Sequence, residues 1–365
     1  MEEIEAFVAL NHIPYIGAVK VQKLLSAFGS ARSILLEPLA SIASILGEKD
    51  RSLPFFSSWE TLSTWKEDLL LVKKEGATLI SLHDPSYPPS LKELSDPPFL
   101  LYIKGKILEE DKNSIGIIGT RVSTLYGKEM AEKFGKECAG SGFTVVSGLA
   151  RGIDTHAHVG ALQRGRTLAI LGSGLSYIYP EENAPLAKKI CDSGALISEF
   201  PMKTAPDKFH FPKRNRIVSA LSFGMLLIEA PLKSGAMITM ECSQKLKKLC
   251  FAITGRIDIS TFTGNHFLIK EQKARLVENP QEMLSLLRPG SRIVYKNEEK
   301  QLSSFFNLTS EEENLIPFLK EEEVSIEELA LCTKIPIAKL SSLLMGLVLK
   351  KKIREFPGKL YRKVI

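Results

Sequence analysis

Short apolar runs alternate with helix-period segments through the middle of the chain, from about residue 113 to residue 287. We predict seven buried strands there, at residues 114–118, 144–147, 167–171, 195–198, 225–229, 249–253 and 275–277. Amphipathic segments separate most of these strands, including 127–139, 153–163 and 236–247. Strands that are apolar throughout and alternate with helices form parallel sheets that are covered on both faces. The pattern therefore predicts an α/β fold with a doubly wound, mostly parallel sheet.

Helical spacing also dominates the first 75 residues, with apolar periods at 4–10 and 18–28. The turn between them, Ile13-Pro-Tyr-Ile-Gly17, is either an ordinary tight helix–helix turn or a module that grips a nucleic-acid backbone. The polar and aromatic stretch 49–59 has no period and is predicted to be a connection. Residues 83–98 are rich in Pro and Asp, and Pro blocks both helix and strand hydrogen bonding. We expect this stretch to wrap the domain in an ordered, irregular path.

A second compact pattern follows a polar stretch that begins near residue 297. Three helical segments, 311–319, 325–331 and 337–349, precede a predicted hairpin around Pro357-Gly358. That order is typical of a winged helix. Its third helix carries a single cation, Lys339, before its end, so the module either has a protein-contacting or structural role or binds nucleic acid. The predicted domains are 1–75 (helical), 76–290 (α/β), 291–308 (linker) and 309–365 (winged helix).

The composition is that of a globular protein whose charge favours an anionic partner. Of the 365 residues, 44% are hydrophobic and 25% are charged, and the formal net charge is +6. The five cysteines are scattered without a C-x-x-C pair, so neither a disulfide framework nor a zinc site is predicted. The sequence has no signal-peptide core and no apolar run long enough to span a membrane. We expect a cytoplasmic protein without membrane contact.

The first three strands predicted in the α/β region end in small residues. The segments concerned are 116–121, 147–154 and 172–174. Glycine at a strand–helix junction lets backbone N–H groups approach an anion, and the next helix N-terminus adds partial positive charge. The G-x-G-x-x-G spacing of dinucleotide-binding folds is absent, so we predict no nucleotide cofactor. Ser234-Gly235 opens a later helix, and this start is an ordinary cap, a further anion cup, or both.

The densest group of cations lies between Lys203 and Arg216. This segment contains five Lys or Arg residues and a single acid, Asp207. Its core is Phe211-Pro-Lys213-Arg214-Asn215-Arg216. Guanidinium groups at this density suit repeated phosphates better than one small substrate. The alternative is a solvated charged turn, but the neighbouring glycine-rich strand ends favour a phosphate-binding surface.

Few side chains are candidates for catalysis or metal binding. His156 and His158 are two residues apart on a predicted helix and would point to different faces, so a shared metal is not predicted. Asp154 and Glu229 lie at strand ends, where a general base could act. The sequence shows no nucleophile–base pair and no carboxylate cluster for metal-dependent chemistry. We therefore predict no catalytic residue and no metal site.

Together these motifs resemble those of one protein family. The matching segments are Ile118-Gly-Thr-Arg121, Ser147-Gly-Leu-Ala-Arg-Gly-Ile-Asp154 with His156, Gly172-Ser-Gly174 with Tyr179-Pro180, Ser198-Glu199, Phe211-Pro-Lys-Arg-Asn-Arg216, Glu229-Ala230 and Ser234-Gly-Ala-Met-Ile-Thr239. Their order and spacing are similar to those of DNA-processing protein A (DprA, also called Smf), a bacterial recombination mediator. The resemblance implies an extended Rossmann-like domain, an N-terminal helical domain of sterile-alpha-motif type and a C-terminal winged helix.

The resemblance also implies a function and a set of residues. Members of this family bind single-stranded DNA, load the RecA recombinase during natural transformation without catalytic turnover, and form homodimers through the Rossmann-like domain. Phosphates would then contact Arg121, Arg151, Arg214 and Arg216, with Lys213 beside them. Close backbone or hydroxyl contacts would come from Gly119, Ser147, Gly148, Ser234 and Gly235. A base would be touched by Phe211 and Asn215, through stacking and edge hydrogen bonds.

A second hypothesis is a nucleoside-monophosphate glycosidic hydrolase of the related lysine-decarboxylase-like Rossmann group. The mark of that group is a Pro-Gly-Gly-x-Gly-Thr loop followed by Glu. The segment from Ser234 to Thr239, with Glu241, resembles this mark only loosely because the glycines are missing. We therefore expect a DNA binder without enzymatic activity, and base release from a nucleotide would distinguish the two hypotheses.

Overall fold

The computed structural model describes residues 1–287, 308–319, 322–350 and 352–363. The chain divides into two compact units, residues 1–292 and 293–365, and each is described here by itself. The N-terminal helices and the large sheet belong to the first unit. The predicted linker, 291–308, lies outside the described residues except for Leu308.

Within the described residues, six α-helices precede the sheet: α1 (Glu3–Asn11), α2 (Ala18–Phe28), α3 (Ala31–Leu36), α4 (Leu39–Leu46), α5 (Leu53–Phe56) and α6 (Ser63–Glu75). Phe7 of α1 is fully buried and stacks on Phe99, with ring centroids 6.3 Å apart. The stretch predicted as a connection instead contains α5, because Phe56 and Trp59 are buried there.

A buried carboxylate fastens these helices to the sheet. Asp68 of α6 accepts hydrogen bonds from the Tyr102 hydroxyl and the Met202 backbone N–H, each at 2.8 Å. Because Asp68 is 2% exposed, loss of either bond would leave a buried polar group unpaired, which is costly. The N-terminal helices therefore form part of the first unit rather than a loosely attached module.

The first unit contains a sheet whose nine described strands are β1 (Thr78–Ser81), β2 (Leu100–Gly105), β3 (Ser114–Ile118), β4 (Thr144–Ser147), β5 (Thr167–Ile170), β6 (Ala195–Ser198), β7 (Gly224–Leu227), β8 (Leu249–Ala252) and β9 (Arg275–Leu276). Their order is β1-β2-β6-β5-β4-β3-β7-β8-β9. The strands from β3 to β9 pair in parallel, whereas β2 runs antiparallel to both β1 and β6. The sequence pattern does not predict β1 and β2, which flank the Pro-rich stretch.

The helices that follow the strands are α7 (Leu125–Gly140), α8 (Ile153–Ala161), α9 (Ala184–Ser193), α10 (His210–Leu221), α11 (Gly235–Lys245), α12 (Thr263–Lys270) and α13 (Pro280–Leu287). Strands β4 to β6 follow on one side of β3, and β7 to β9 lie on its other side. The predicted α/β class, with an extended Rossmann-like and mostly parallel sheet, is confirmed. The strand order therefore reverses at β3, between β4 and β7.

The second unit is a winged helix by element order. It contains α14 (Ser310–Leu315), β10 (Val324–Ser325), α15 (Ile326–Thr333), α16 (Ile337–Leu349), β11 (Ile353–Phe356) and β12 (Leu360–Lys363). Strand β12 pairs antiparallel with both β10 and β11, and Leu340, Leu344 and Leu347 of α16 are fully buried. Lys339 forms an ion pair with Glu311 at 2.5 Å.

No single helix of the described residues is long and apolar enough to cross a membrane. Helices α15 and α16 meet the length and hydropathy requirement only as a pair, and the pair is bent by 111°.

Candidate functional site

The loops that follow β3 and β7 meet where the strand order reverses. Ile118 pairs with Leu227 in the parallel register, so the two loops leave the sheet at the same level. Open α/β sheets bind ligands at this point, outside the carboxyl ends of the strands. A cavity of about 720 Å³, here called the strand-end cavity, opens there. Among its lining residues are Gly119, Arg121, Phe211, Arg214, Asn215, Ser234 and Gly235.

Helix α10 explains which predicted residues meet at the cavity. Phe211, Arg214, Asn215 and Val218 follow a spacing of three and four, so they share one helix face, and that face lines the strand-end cavity. The charged run of the sequence is therefore the first part of a helix and not a solvated turn.

Arg214 forms a buried cationic floor for this cavity. The residue is 4% exposed, and its Nε has no hydrogen-bond partner among the described residues. Burial lowers the pKa of Arg214 to about 10, and Arg121 adds to the effect while Asp154 opposes it. The guanidinium is still a cation at neutral pH, and its desolvation would strengthen a contact with an anion.

Two aromatic rings lie between two arginines at the rim of the cavity. The Arg121 guanidinium stands over the Phe211 ring, 4.7 Å from its centroid. The Tyr179 ring is 5.8 Å from the Phe211 ring, and Tyr179 also contacts Arg151. These four residues line one small recess, together with Gly148. We call Arg121, Phe211, Tyr179 and Arg151 the ring–cation row.

Arg151, at the end of the row, is held by a carboxylate. Its Nε and Nη2 donate to the two carboxylate oxygens of Glu182, at 2.6 and 2.7 Å. These hydrogen bonds raise the pKa of Arg151. Both side chains are about half exposed, with fractions of 53% and 56%. The structure thus places Arg151 beside the recess with one edge of its guanidinium already occupied.

The N-terminus of α11 opens toward the same cavity. Ser234 is the N-cap residue, yet its side chain makes no capping hydrogen bond, and its buried Oγ has no partner within the described residues. A Cβ built at Gly235 would meet nothing within 4 Å. Asn215 donates weakly to the Gly235 carbonyl oxygen at 3.5 Å. This helix start therefore lacks a side-chain cap, and Ser234 Oγ is left unpaired, as the predicted anion cup would require.

Two of the predicted contact residues also take part in packing at the strand ends. Ser147 is fully buried, and its hydroxyl donates to the Ile117 carbonyl oxygen at 2.7 Å. The hydroxyl therefore holds β3 to β4 and is not presented to a ligand. Gly119 is needed for close packing, because a Cβ there would stand 2.7 Å from the Glu229 carbonyl oxygen.

Lys213 and Arg216 are separated from the other predicted residues. They lie on a different face of α10 and line a second cavity of about 950 Å³, beside the turn between α1 and α2. Arg216 pairs with the carboxylates of Asp96 and Glu199. The expected grouping of Arg216 with the phosphate-binding arginines is thus not what the structure shows. The reason is the helical period, which turns position 216 away from position 214.

The two acids at strand ends and the two histidines weighed as a metal site have structural partners. Glu229 is fully buried and accepts hydrogen bonds from Thr124 and Thr261. Asp154 accepts from the Gly148 N–H at 3.1 Å, and burial raises its pKa, with Arg214 opposing. Histidines 156 and 158 contact different residues, Glu132 and Thr167, as their spacing predicts. Within the described residues, no group of three or more His, Cys, Asp or Glu is arranged to hold a metal ion.

Comparison with known proteins identifies the family. The family model described as DNA recombination-mediator protein A matches residues 78–288, more than half of the chain. The chain belongs to this family. Protein Smf of Escherichia coli is 38% identical over 62% of this chain and 60% of its own length. Protein Smf of a Synechocystis species is 28% identical over 98% of both chains.

Two solved structures of DNA processing protein A are similar as well. The crystal structure of the Streptococcus pneumoniae protein matches with a TM-score of 0.66 and 32% identity, over 78% of this chain and 98% of that one. A Helicobacter pylori structure, described by its single-stranded DNA binding mode, matches with a TM-score of 0.53 and 32% identity. That match covers 58% of this chain and 95% of the other.

Sequence reasoning missed several residues of the site. Lys208 and Lys233 line the strand-end cavity, and Tyr179 supplies a ring of the row. Lys208 belongs to the charged run and could have been included on that signal. No sequence pattern indicated that Glu182 belongs to the site, because its partner Arg151 is 31 positions away in the sequence. Glu241, the glutamate of the hydrolase hypothesis, is exposed on α11 and pairs with Lys245 at 2.9 Å.

Proposed function

We propose that this chain binds single-stranded DNA without catalytic turnover and helps to load the RecA recombinase on it. The observation that carries the proposal is the ring–cation row, in which two stacking rings lie between two guanidinium groups. Proteins that bind single strands combine cations along the backbone with aromatic rings on which bases stack. A single strand can offer unpaired base faces to these rings, whereas a duplex keeps its bases stacked inside.

The strand-end cavity supplies a second set of contacts for the same strand. The buried Arg214, the open N-terminus at Ser234-Gly235 and the rim lysines Lys208 and Lys233 surround one space. Charge-assisted hydrogen bonds from such groups to phosphate are roughly twice as strong as neutral ones. Contacts of this kind do not read base identity, so we expect weak sequence preference.

The comparisons support the DNA-related part of the proposal. The family model is described by a role in DNA recombination, and the Helicobacter pylori relative is described by its binding of single-stranded DNA. The loading of RecA and homodimerisation through the Rossmann-like domain rest on the family resemblance alone.

Fluorescence anisotropy of labelled single- and double-stranded oligonucleotides tests the DNA-binding part. We expect wild type to prefer the single strand, and Phe211→Ala to lose about 1–3 kcal/mol of binding free energy through lost stacking. Phe209→Ala is the matched control, because Phe209 is 67% exposed beside α10 and is not among the residues that line the strand-end cavity. Equal affinity for the two DNA forms would contradict the proposal.

RecA loading and homodimerisation are tested separately. Assembly of RecA filaments on strands coated with single-strand-binding protein should be faster in the presence of this protein. Phe211→Ala should remove that acceleration at concentrations where Phe209→Ala retains it. Sedimentation equilibrium of wild type tests the homodimer, and a monomer at all concentrations would refute it.

A further inference from the structure

The row contains one cation that already has an anionic partner. Arg151 donates Nε–H and Nη2–H side by side to Glu182, which is the arrangement by which arginine also binds a phosphate. Arg121, at the other end of the row, has a ring as its neighbour. The two arginines of the row therefore differ in what a phosphate must displace to reach them.

Glu182 is fixed at this position by its neighbour. Asn183 is 5% exposed, and its Nδ2 donates to the Leu149 carbonyl oxygen and to the Thr155 hydroxyl, each at 2.9 Å. These bonds fasten the short 3₁₀ turn Glu181–Asn183 to the loop after β4, which carries Arg151, and to the first turn of α8. Glu182 lines a neighbouring cavity of about 460 Å³ together with Arg121 and Arg151, and its side chain is 56% exposed.

We infer that Glu182 is an internal counter-ion that occupies the phosphate-binding edge of Arg151 until the DNA backbone displaces it. This inference rests on the proposed binding of single-stranded DNA and names a regulator of the same site. Exchange of the carboxylate for a phosphate has a low cost, because exposed ion pairs contribute little to stability. Each free Glu182 carboxylate then attracts a solution cation.

The exchange has a specific consequence for salt dependence. When a cationic side chain binds a phosphate, it releases counter-ions from the DNA, about 0.7 per contact with a single strand. When Glu182 is displaced from Arg151, it gains a counter-ion of its own, which offsets that release. Arg151 therefore contributes little to the salt dependence of wild type, although it contacts the strand.

The decisive experiment measures single-strand affinity against salt concentration for wild type, Glu182→Gln and Glu181→Gln. Glu181 is exposed on the same turn, so its variant removes the same charge without freeing Arg151. We expect Glu182→Gln to bind several-fold more tightly than Glu181→Gln, with a log–log salt slope steeper by about 0.7. In the Arg151→Ala background, Glu182→Gln should bring no gain beyond that of Glu181→Gln.

The other outcomes overturn the inference. Equal affinities and slopes for the two glutamine variants would mean that Glu182 acts only through its net charge. Weaker binding by Glu182→Gln would mean that Glu182 holds Arg151 in place for the phosphate. Either result leaves wild-type binding intact, whereas absence of single-strand binding by wild type would refute the proposed function itself. Circular dichroism of each variant checks that the fold is retained.

Discussion

The Arg214 guanidinium lies directly against the backbone of Gly148. A Cβ built at Gly148 would stand 1.5 Å from Nη1 of Arg214, so any side chain there would force the guanidinium to move. Glycine after β4 therefore makes room for the buried cation, and the Gly148 N–H donates in turn to Asp154. At the end of β4, Gly148 thus contacts both Asp154 and Arg214, which forms the cavity floor.

Gly148→Ala should displace Arg214 from the cavity floor. We expect at least about a tenfold loss of single-strand affinity, or roughly 1.4 kcal/mol. Overpacking should also lower the free energy of unfolding by about 1–3 kcal/mol. Gly17→Ala is a suitable control, because a Cβ there meets nothing within 4 Å. Anisotropy and thermal melting measure both effects, and unchanged affinity would mean that Arg214 does not contact DNA.

Arg121→Ala should reduce the salt dependence of single-strand binding. Arg121 is exposed at the rim, so its loss removes one phosphate contact and about 0.7 from the log–log slope. The control is Arg164→Ala, since Arg164 lies in the turn before β5, at the opposite end of the sheet, and pairs with Glu137. Identical slopes for the two variants would exclude Arg121 from the DNA contact.

Arg216→Ala should act on stability and not on salt dependence. Its side chain is 12% exposed and neutralises Asp96 and Glu199, so its removal leaves the Glu199 carboxylate, only 14% exposed, without its arginine. We expect the free energy of unfolding to fall by about 3 kcal/mol, as measured by urea denaturation. A reduced salt slope with normal stability would instead return Arg216 to the DNA-binding set.

His158 should make the protein less stable as the pH falls. Burial, with a smaller contribution from Arg214, lowers the pKa of His158 to about 3, whereas the unfolded chain has an ordinary value near 6.5. Between these values the unfolded state takes up a proton that the folded state does not. The free energy of unfolding should therefore fall by up to about 1.4 kcal/mol for each pH unit below 6.5. In His158→Gln this pH dependence should vanish. Identical profiles of unfolding free energy against pH for wild type and His158→Gln would contradict the role given to His158.

Asn265 should be essential for the loop after β7. Its Oδ1 accepts from the Ala230 N–H, and its Nδ2 donates to the carbonyl oxygens of Leu227, Ile228 and Ile253. Asn265→Asp would place a charge against three carbonyls and should destabilise the fold by about 3 kcal/mol.

A matched variant of another asparagine separates this effect from the change of residue type. Asn279→Asp should be tolerated. The Asn279 Oδ1 accepts a hydrogen bond from the Glu282 N–H, and an aspartate oxygen can accept the same bond. Thermal melting of both variants gives the comparison. Equal melting temperatures would show that the Asn265 network contributes nothing.

Apolar runs and glycine positions let the sequence predict the parallel sheet, because both follow from local periods and backbone geometry. Ser114–Ile118 and Thr144–Ser147 have the predicted bounds, and the helix Ile337–Leu349 does as well. The antiparallel strands Thr78–Ser81 and Leu100–Gly105 depend on pairing with distant partners at the sheet edge. Their short runs beside prolines carry no comparable local signal.

The family and the residue types of the site also follow from the sequence, since Gly, Arg and Phe stand at fixed spacings along it. Tertiary structure alone decided which of those residues share a surface. The helical period of α10 sends Arg214 to the strand-end cavity and Arg216 to two acids. Packing across 31 positions gives Arg151 its carboxylate. Charge and spacing are local properties of a sequence, whereas burial and ion pairing depend on neighbours that only the folded chain brings together.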